Sequence, residues 1–238
     1  MYDPHKDMPG GFSQSDGTID FYLRIRALLP EQARVVDLGA GRAAWFEDDN
    51  IKTRREVRHL VPSVRELIAV DVDPVVEENR ACTSAEVYDG LALPLDDASV
   101  DMVVADYVLE HIDDPEAFRR EIERVLKPGG YFCARTPHKY NYVSIAARLV
   151  KNESHQRVLT RIQPDRKAMD VFPTRYRLNK IGDIKQAFSG FRDCSFLYRS
   201  DPAYFFGSRL AFAGLKFLHL VAPTFLIGNI HVFMQKDQ

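Results

Sequence analysis

The stretch from Val35 to Trp45, VVDLGAGRAAW, sets the first limit on how this chain can fold. A short apolar run ends at an acid, and glycines then follow at the spacing of a dinucleotide fingerprint, G-x-G-x-x-G/A, over residues 39–44. Glycine lets the backbone turn sharply and approach a ligand closely, so the pattern predicts a strand, a binding turn and a helix. Because this loop alone is a weak signal, the ligand has to be inferred from the rest of the chain.

Apolar runs recur downstream and alternate with amphipathic stretches, which predicts βαβ units and a parallel sheet. Strands are expected at residues 34–38, 66–70, 85–88, 100–105, 131–135, 193–198 and 229–235, and helices at 18–29, 43–56, 114–126 and 179–188. Asp73 is expected to cap a helix beginning at Pro74, and Asn179 to cap the helix that it begins. With 238 residues, 45% of them hydrophobic, the chain can bury a sizeable core as one α/β domain.

Acidic residues lie at or just after the ends of the first three predicted strands. Asp37 precedes the glycines, where its charge disfavours a pyrophosphate and favours a cofactor carrying an ammonium and a sulfonium. Its carboxylate could instead cap its own loop. Asp71 could accept both hydroxyls of a ribose, as either kind of nucleotide site requires. Asp89 could accept a hydrogen bond from the exocyclic amine of an adenine.

Five motifs, in this order, resemble the class I S-adenosylmethionine-dependent methyltransferases, particularly their small-molecule "type 11" branch. They are VVDLGAGRA, IAVDVDP, YDGLALPLDDASVDMVV, DYVLEHIDDPEAF and RVLKPGGYF, within residues 34–136. The resemblance implies an α/β, Rossmann-like three-layer sandwich whose seven-stranded, mostly parallel sheet has an antiparallel last strand. It implies one domain, with an N-terminal helical cap (1–33), a cofactor-binding core (34–136) and acceptor-side elements with the last two strands (137–238).

The same resemblance implies S-adenosyl-L-methionine as cofactor, S-adenosyl-L-homocysteine as product, and a set of binding residues. Carried over by position, these are Asp37, Gly39, Ala40 and Gly41 for the methionine part, Asp71 and Val72 for the ribose, Asp89 and Gly90 for the adenine, and Asp106 and Tyr107 near the sulfonium. Ala43 stands where the family often has a third glycine, which predicts tighter packing rather than lost binding. The residues between Trp45 and Glu66 exceed the family minimum and receive no role.

Two histidines are candidates for the general base that a hydroxyl acceptor would need. His111, in LEHIDD, follows the fourth strand, where a structural hydrogen bond is the alternative role. His138, in RTPHKYNY, follows the fifth strand, on the side where an acceptor should enter. Tyr140 and Asn141 follow closely and could line the same opening. No cluster has metal-ligand spacing, so a metal-dependent mechanism is not expected.

Arg175 and Tyr176 are further acceptor candidates, since arginine suits anionic groups and aromatic faces suit sugars or apolar rings. The alternative to an acceptor site is that the tyrosine packs beneath the sheet and the arginine is exposed to solvent. Arg175 and Tyr176, together with a looser similarity to bacterial polysaccharide and glycan methyltransferases, favour O-methylation of a sugar or lipid-linked glycan. A lipid or quinone-like acceptor, a non-catalytic cofactor-binding module and an NAD-dependent oxidoreductase are the alternatives.

Charge and targeting patterns bear on partners and location. The formal net charge of -2 gives no signal for nucleic acid, and the basic run 52–55 is expected to be a solvated helix face. Three cysteines without metal or disulfide spacing and an N-terminus without an apolar signal core favour the cytoplasm. The apolar segment 204–227 contains Arg209, Lys216 and His219, and Pro223 should break it. It is expected to be a buried or substrate-covering helix, with peripheral contact at the inner membrane face as the alternative.

Overall fold

The computed structural model describes residues 2–6, 8–149, 173–202 and 204–238. The strands are β1 (Arg34–Leu38), β2 (Glu66–Asp71), β3 (Ser84–Val87), β4 (Val100–Asp106), β5 (Leu126–Pro137), β6 (Phe191–Asp193), β7 (Phe196–Tyr198) and β8 (Asn229–Lys236). The α-helices are α1 (Gly17–Leu28), α2 (Trp45–Asp48), α3 (Lys52–Arg58), α4 (Pro115–Val125), α5 (Tyr142–Leu149), α6 (Ile181–Ala187), α7 (Arg209–Val221) and α8 (Thr224–Ile227). Short 3-10 turns lie at Pro9–Gly11, Val61–Ser63, Pro74–Glu78 and Leu109–His111.

Within the described residues, eight strands form one sheet in the order β3-β2-β1-β4-β5-β8-β6, with β7 also paired to β8. Strands β1 to β5 pair in parallel, and β8 runs antiparallel to β5. The mostly parallel sheet with an antiparallel last strand confirms the predicted fold. Its carboxyl edge gathers the loops that follow β1, β2, β3 and β4, which is where ligands bind in sheets of this kind.

The outer edge of β8 departs from the prediction, because two short strands replace the single strand expected at 193–198. β6 places Phe191 opposite Lys236, and β7 places Phe196 opposite His231, so both pair along β8. Between them the Phe233 N–H donates to the Ser195 hydroxyl at 3.2 Å. This side chain takes the place of a backbone carbonyl and interrupts the ladder.

Two hydrophobic clusters make the sheet the middle of three layers. One cluster packs Ile122 of α4 and Phe188 after α6 against Val103 of the sheet. The other packs Phe21 and Ile25 of α1 against the opposite face. Side chains alternate between the two faces of a strand, so each central strand contributes to both clusters.

The region after β1 also differs from the expected single helix at 43–56. Ala43 has a φ of 51°, outside the helical range, and Asp49 accepts the Ile51 N–H at 2.9 Å between α2 and α3. The expected solvated face is wrong for Arg54, whose side chain is only 26% exposed and contacts Asp16 at 2.6 Å. Lys52 is exposed as expected.

Towards the C-terminus, Asn179 does not cap the helix predicted to begin there. Its side-chain amide donates to the Thr136 hydroxyl at 2.6 Å and to the Pro137 carbonyl at 2.9 Å. α6 begins at Ile181 without a side-chain cap, whereas the predicted cap by Asp73 is confirmed by a 2.9 Å bond from the Val75 N–H.

The apolar segment 204–227 folds into two helices, α7 and α8. Pro223 lies between them, as its predicted helix-breaking role requires. In the part of the chain that the structure describes, no helix has both the length and the apolar character to cross a bilayer.

Candidate active site

A cleft of about 760 Å³ opens at the carboxyl edge of the sheet. Its walls come from residues 38–45 after β1, from the loops after β2, β3 and β4, and from the first turns of α4. This volume lies within the range of about 300–1,000 Å³ in which small-molecule sites usually fall. The cleft therefore occupies the position that the glycine pattern predicted for a ligand.

The glycine turn after β1 needs two residues without a side chain for different reasons. Gly39 has a φ of 69°, and a Cβ there would lie 2.5 Å from a methyl of Val108. Gly41 has a φ of 50°, and among the described residues a Cβ there would meet nothing within 4 Å. Gly39 therefore permits close packing between two loops, while Gly41 keeps a piece of the cleft wall bare. Ala40 lies between them in the same wall.

Ala43 continues the same turn and explains the departure from the family pattern. It is buried and holds a left-handed φ of 51°, a conformation that glycine adopts more easily than alanine. The family's glycine preference at this position thus has a backbone cause. The methyl group packs into the wall of the cleft rather than blocking it.

Asp71 at the end of β2 joins the first two loops. One carboxylate oxygen accepts the Gly41 N–H at 2.8 Å, and the other accepts the Asp73 N–H at 3.0 Å. The Gly41 carbonyl in turn accepts the Asn79 amide at 3.0 Å. Because each carboxylate oxygen has a second lone pair, Asp71 can hold the loop and still accept hydroxyls from a ligand. Val72, the next residue, lines the cleft beside it.

Asp89 and Gly90 follow β3 but occupy different positions. Gly90 lines the cleft with a φ of 82°. The Asp89 carboxylate is exposed, lies outside the cleft wall and accepts the N–H groups of Leu91 and Ala92 at 2.8 and 3.1 Å. These hydrogen bonds hold the pKa of Asp89 below its usual value. In this structure Asp89 shapes the loop that forms the wall.

Asp106 does not line the cleft as expected but lies in a buried ion-pair network behind it. Arg135 contacts both of its carboxylate oxygens at 2.8 Å, and Arg58 contacts one of them at 3.3 Å. The Tyr22 hydroxyl donates to the same oxygen at 3.4 Å. Burial alone would raise the pKa of Asp106, but Arg135 and Arg58 outweigh it and hold that pKa below its ordinary value.

Asp37 points to the same side of the sheet and also lies outside the cleft wall. Burial raises its pKa to about 7; Arg58 opposes this rise, and the carboxylates of Asp106 and Asp71 add to it. Burial thus favours the neutral form of Asp37 far more than in an exposed aspartate. A cation brought near this end of the cleft would favour the carboxylate form.

Tyr107 lines the cleft with a backbone held in an uncommon conformation. Its φ is 62°, and its N–H donates to the Arg135 carbonyl at 2.8 Å. The phenol oxygen accepts the Asn229 amide at 3.0 Å, and the Arg135 guanidinium lies 4.8 Å from the ring centre. These contacts tie one cleft residue to both β5 and β8.

The two candidate bases lie in different environments. His111 lines the cleft, and its Nδ1 lies 3.0 Å from the Pro173 carbonyl. Because a carbonyl only accepts hydrogen bonds, Nδ1 carries the proton, and Nε2 is the basic nitrogen of the neutral ring.

His138 lies outside the cleft and is buried. Its Nδ1 accepts the Tyr140 N–H at 3.2 Å, and the ring packs against Tyr140 and Phe225. Burial lowers its pKa, which a hydrogen bond to the Phe225 backbone partly offsets. This environment is that of a neutral structural histidine.

The acceptor candidates are also divided by the fold. Arg175 lines the cleft, about half-exposed, with Asp113 at 3.6 Å. Tyr176 is buried away from the cleft beneath Arg148, whose guanidinium lies 5.4 Å from its ring. Tyr140 is exposed outside the cleft, and Asn141 is buried, donating to the Gly228 carbonyl at 2.8 Å.

Two site residues were missed by the sequence analysis. Trp45 lines the cleft, and the Arg58 guanidinium lies 4.5 Å from its ring centre. Arg58 comes from the longer stretch between Trp45 and Glu66, which thus supplies a partly buried cation to the acids behind the cleft. Trp45 lay in the opening motif, but no local pattern distinguishes Arg58 from the neighbouring surface arginines.

Comparison with known proteins gives one family match. Residues 52–134 match a family model described as a methyltransferase domain. A probable S-adenosylmethionine-dependent methyltransferase of Mycobacterium tuberculosis is 39% identical over 82 residues, 33% of this chain and 30% of that protein. The chain spans less than half the length of the curated relatives it matches.

Solved structures share the fold at low sequence identity. An S-adenosylmethionine-dependent methyltransferase from Mesorhizobium loti has a TM-score of 0.55 at 19% identity, covering 90% of this chain and 96% of that one. Geranyl diphosphate C-methyltransferase from Streptomyces coelicolor, solved with S-adenosyl-L-homocysteine, has a TM-score of 0.57 at 11% identity, covering 92% and 76%.

Proposed function

We propose that this chain, which carries a class I S-adenosylmethionine-dependent methyltransferase domain, methylates a hydroxyl of a sugar or lipid-linked glycan. One observation supports the proposal most. A single cleft joins the Gly41–Asp71 region, suited to the cofactor, to His111 and Arg175, suited to an acceptor. A cofactor site and a candidate base thus share one open cleft.

The cleft fits S-adenosylmethionine in its donor set and in its shape. Gly41 leaves open space where a side chain would stand, and Asp71 places a carboxylate at the end of β2. We assign the ribose to Asp71 and Val72, the adenine to the loop at Gly90, and the methionine part to the turn at residues 39–41. When bound, the cofactor would supply a methyl group on its sulfonium; the acceptor oxygen would bond to that methyl as its bond to sulfur breaks, with S-adenosyl-L-homocysteine as the leaving group.

The chain itself supplies a base and an orienting cation. Nε2 of His111 takes the proton of the acceptor hydroxyl, while the Pro173 carbonyl holds the ring by its Nδ1–H. Arg175 at the same cleft orients an anionic group of the acceptor, such as a phosphate. Alignment of this kind can contribute up to roughly 7–11 kcal/mol towards the barrier.

A lipid or quinone-like acceptor is the second candidate, favoured by one observation. Large apolar side chains of α7 are exposed in the segment that leads into β8, and β8 begins beside Tyr107 of the cleft. An apolar acceptor could approach the cleft along such a surface.

Transfer of label from radioactive S-adenosylmethionine to a cell extract tests the proposal. The extract is separated into lipid, polysaccharide and small-molecule fractions, and the variant Asp71→Ala serves as the control. Label in polysaccharide or in lipid-linked glycan is the expected result. Label in glycan-free lipid would support the second candidate instead. Cofactor binding without label in any fraction would indicate a binding module.

A further inference from the structure

α7 presents a stripe of large apolar side chains to solvent. The stripe consists of Phe206, Leu210, Phe217, Leu220 and Val221, which are 62–87% exposed. Phe206 lies just before α7; within the helix Leu210, Phe217 and Val221 are separated by seven and four residues, and Leu220 follows Phe217 by three, so the helical members lie along one face. Exposed apolar groups clustered in this way usually mark a binding surface.

The other faces of α7 fix the orientation of this stripe. Phe212 packs against Tyr2 and Phe205, with ring centres 5.9 and 5.2 Å apart. His219 is buried, and its Nδ1 lies 2.9 Å from the Ser200 carbonyl oxygen. The Ser208 hydroxyl caps the start of the helix. The helix is therefore anchored, and the stripe is the face that remains.

The charged side chains on α7 itself are cationic, and Asp201 is an acid that lies next to one of them. No Asp or Glu occurs from residue 202 to residue 236, whereas Arg209 and Lys216 lie on α7 itself. The Lys216 ammonium contacts Asp201 at 3.0 Å, yet its side chain is 57% exposed. An apolar face bordered by cations complements an interface of acyl chains and anionic headgroups.

The segment that carries the stripe begins and ends at the carboxyl edge of the sheet. The segment 199–228 connects the end of β7 to the start of β8, and Asn229 at that start donates to Tyr107 in the cleft. β8 begins opposite Pro137, the carboxyl end of β5. Both ends of this segment thus lie at the edge of the sheet where the cleft opens.

We propose that the stripe on α7 docks in the headgroup region of a membrane containing anionic lipids. α7 has 13 residues, too few for a bilayer crossing, which takes about 20, so it lies along the interface. A second copy of the chain fits the stripe less well, since symmetric pairing would place cationic helices against each other. This docking does not depend on methyl transfer.

Vesicle flotation tests the proposal with the full chain. Vesicles of phosphatidylcholine alone are compared with vesicles that also contain phosphatidylglycerol. We expect the protein to float with the anionic vesicles, and the double variant Phe217→Glu/Leu220→Glu to lose about tenfold or more of this binding. The variant Arg209→Gln/Lys216→Gln should lose mainly the preference for anionic vesicles.

Leu23→Glu is the matched control, because Leu23 is an exposed leucine on α1 and should leave flotation unchanged. Circular dichroism and the thermal shift with S-adenosyl-L-homocysteine check that every variant is folded, independently of any acceptor. Failure of the wild-type protein to float with anionic vesicles would overturn the proposal. If the wild-type protein does not float but sediments as a dimer, and the glutamate variant sediments as a monomer, the stripe would be a contact between copies of the chain instead.

Discussion

Among single residues, Gly39 and Gly41 share a left-handed backbone but differ in their surroundings. Replacing Gly39 by alanine adds a backbone penalty and a clash with Val108. We expect Gly39→Ala to lower the free energy of unfolding by about 2–4 kcal/mol, the backbone penalty and overpacking together. Urea denaturation followed by circular dichroism measures this loss.

Gly41→Ala is the matched control for that change, because it carries the backbone penalty without a clash. Its loss of unfolding free energy should be about 1–2 kcal/mol. The added methyl faces the cleft, so its affinity for S-adenosyl-L-homocysteine should fall in calorimetry. Equal loss of stability in both variants would contradict the packing role of Gly39.

The two histidines give a second prediction at this scale. His111→Asn keeps a donor towards the Pro173 carbonyl but removes the base, so label transfer should fall by about 10²–10⁴. The affinity for S-adenosyl-L-homocysteine should stay nearly constant. His138→Ala should instead cost about 1–3 kcal/mol of stability, since it leaves buried partners unpaired. If His138→Ala lowers label transfer without a loss of stability, and His111→Asn does not lower it, then His138 is the general base.

At the scale of elements, Asp106 is the point where α1, α3, β4 and β5 meet. Its carboxylate contacts Tyr22, Arg58 and Arg135, and its own side chain is 4% exposed. Asp106→Asn would leave buried guanidinium groups without their counter-charge, which costs about 3–5 kcal/mol. Urea denaturation at neutral pH should show this loss, whereas Asp97→Asn, at an exposed carboxylate, should lose less than about 1 kcal/mol.

The pH dependence of the same variant follows from the direction of the pKa shift. Asp106 has a pKa below its unfolded value of 3.8, so its contribution to stability is present above that pH. It is lost as pH falls through the lower pKa of the folded state. The stability difference between wild type and Asp106→Asn should therefore be constant near neutrality and shrink only in strong acid. A difference that disappears already near pH 6 would contradict the ion-pair assignment.

The elements themselves could be predicted where local pattern and burial agree. The strands at 34–38 and 100–106 are apolar runs bounded by acids or glycines, and the structure forms them within a residue of the prediction. The break between α2 and α3 was not predicted, because it depends on Asp49 bonding to a nearby N–H. The misplaced cap at Asn179 has a tertiary cause, since its amide is used by β5.

Over the whole molecule, order along the chain predicted which loops meet but not which side chains face the cleft. Gly41, Asp71 and Tyr107 follow parallel strands, and the fold brings all three to one volume. Asp37 and Asp106 lie at the ends of β1 and β4 but stand behind the cleft wall with Arg58 and Arg135. The choice of face depends on the partner that each side chain finds across the sheet, and those partners are far away in sequence.

Ligand-induced stabilisation is the prediction that involves the whole fold. S-adenosyl-L-homocysteine at about 100 times its Kd should add about 2.7 kcal/mol to the stability of the native state. For a chain of 238 residues this corresponds to a rise in Tm of roughly 5–10 °C. Differential scanning fluorimetry measures the rise, and NADH at the same concentration should produce none.

Asp71→Ala and Asp97→Ala separate binding in the cleft from general effects on the fold. Asp71 bonds to Gly41 within the cleft wall, so its removal should abolish most of the rise in Tm. The carboxylate of Asp97 is exposed and pairs with Arg124 outside the cleft, so Asp97→Ala should keep the rise. A rise with NADH, or an undiminished rise in Asp71→Ala, would show that the cleft binds a different cofactor or binds it elsewhere. The assignment of the cleft as the cofactor site thus depends on Asp71, whose carboxylate bonds to the Gly41 loop and also lines the cleft.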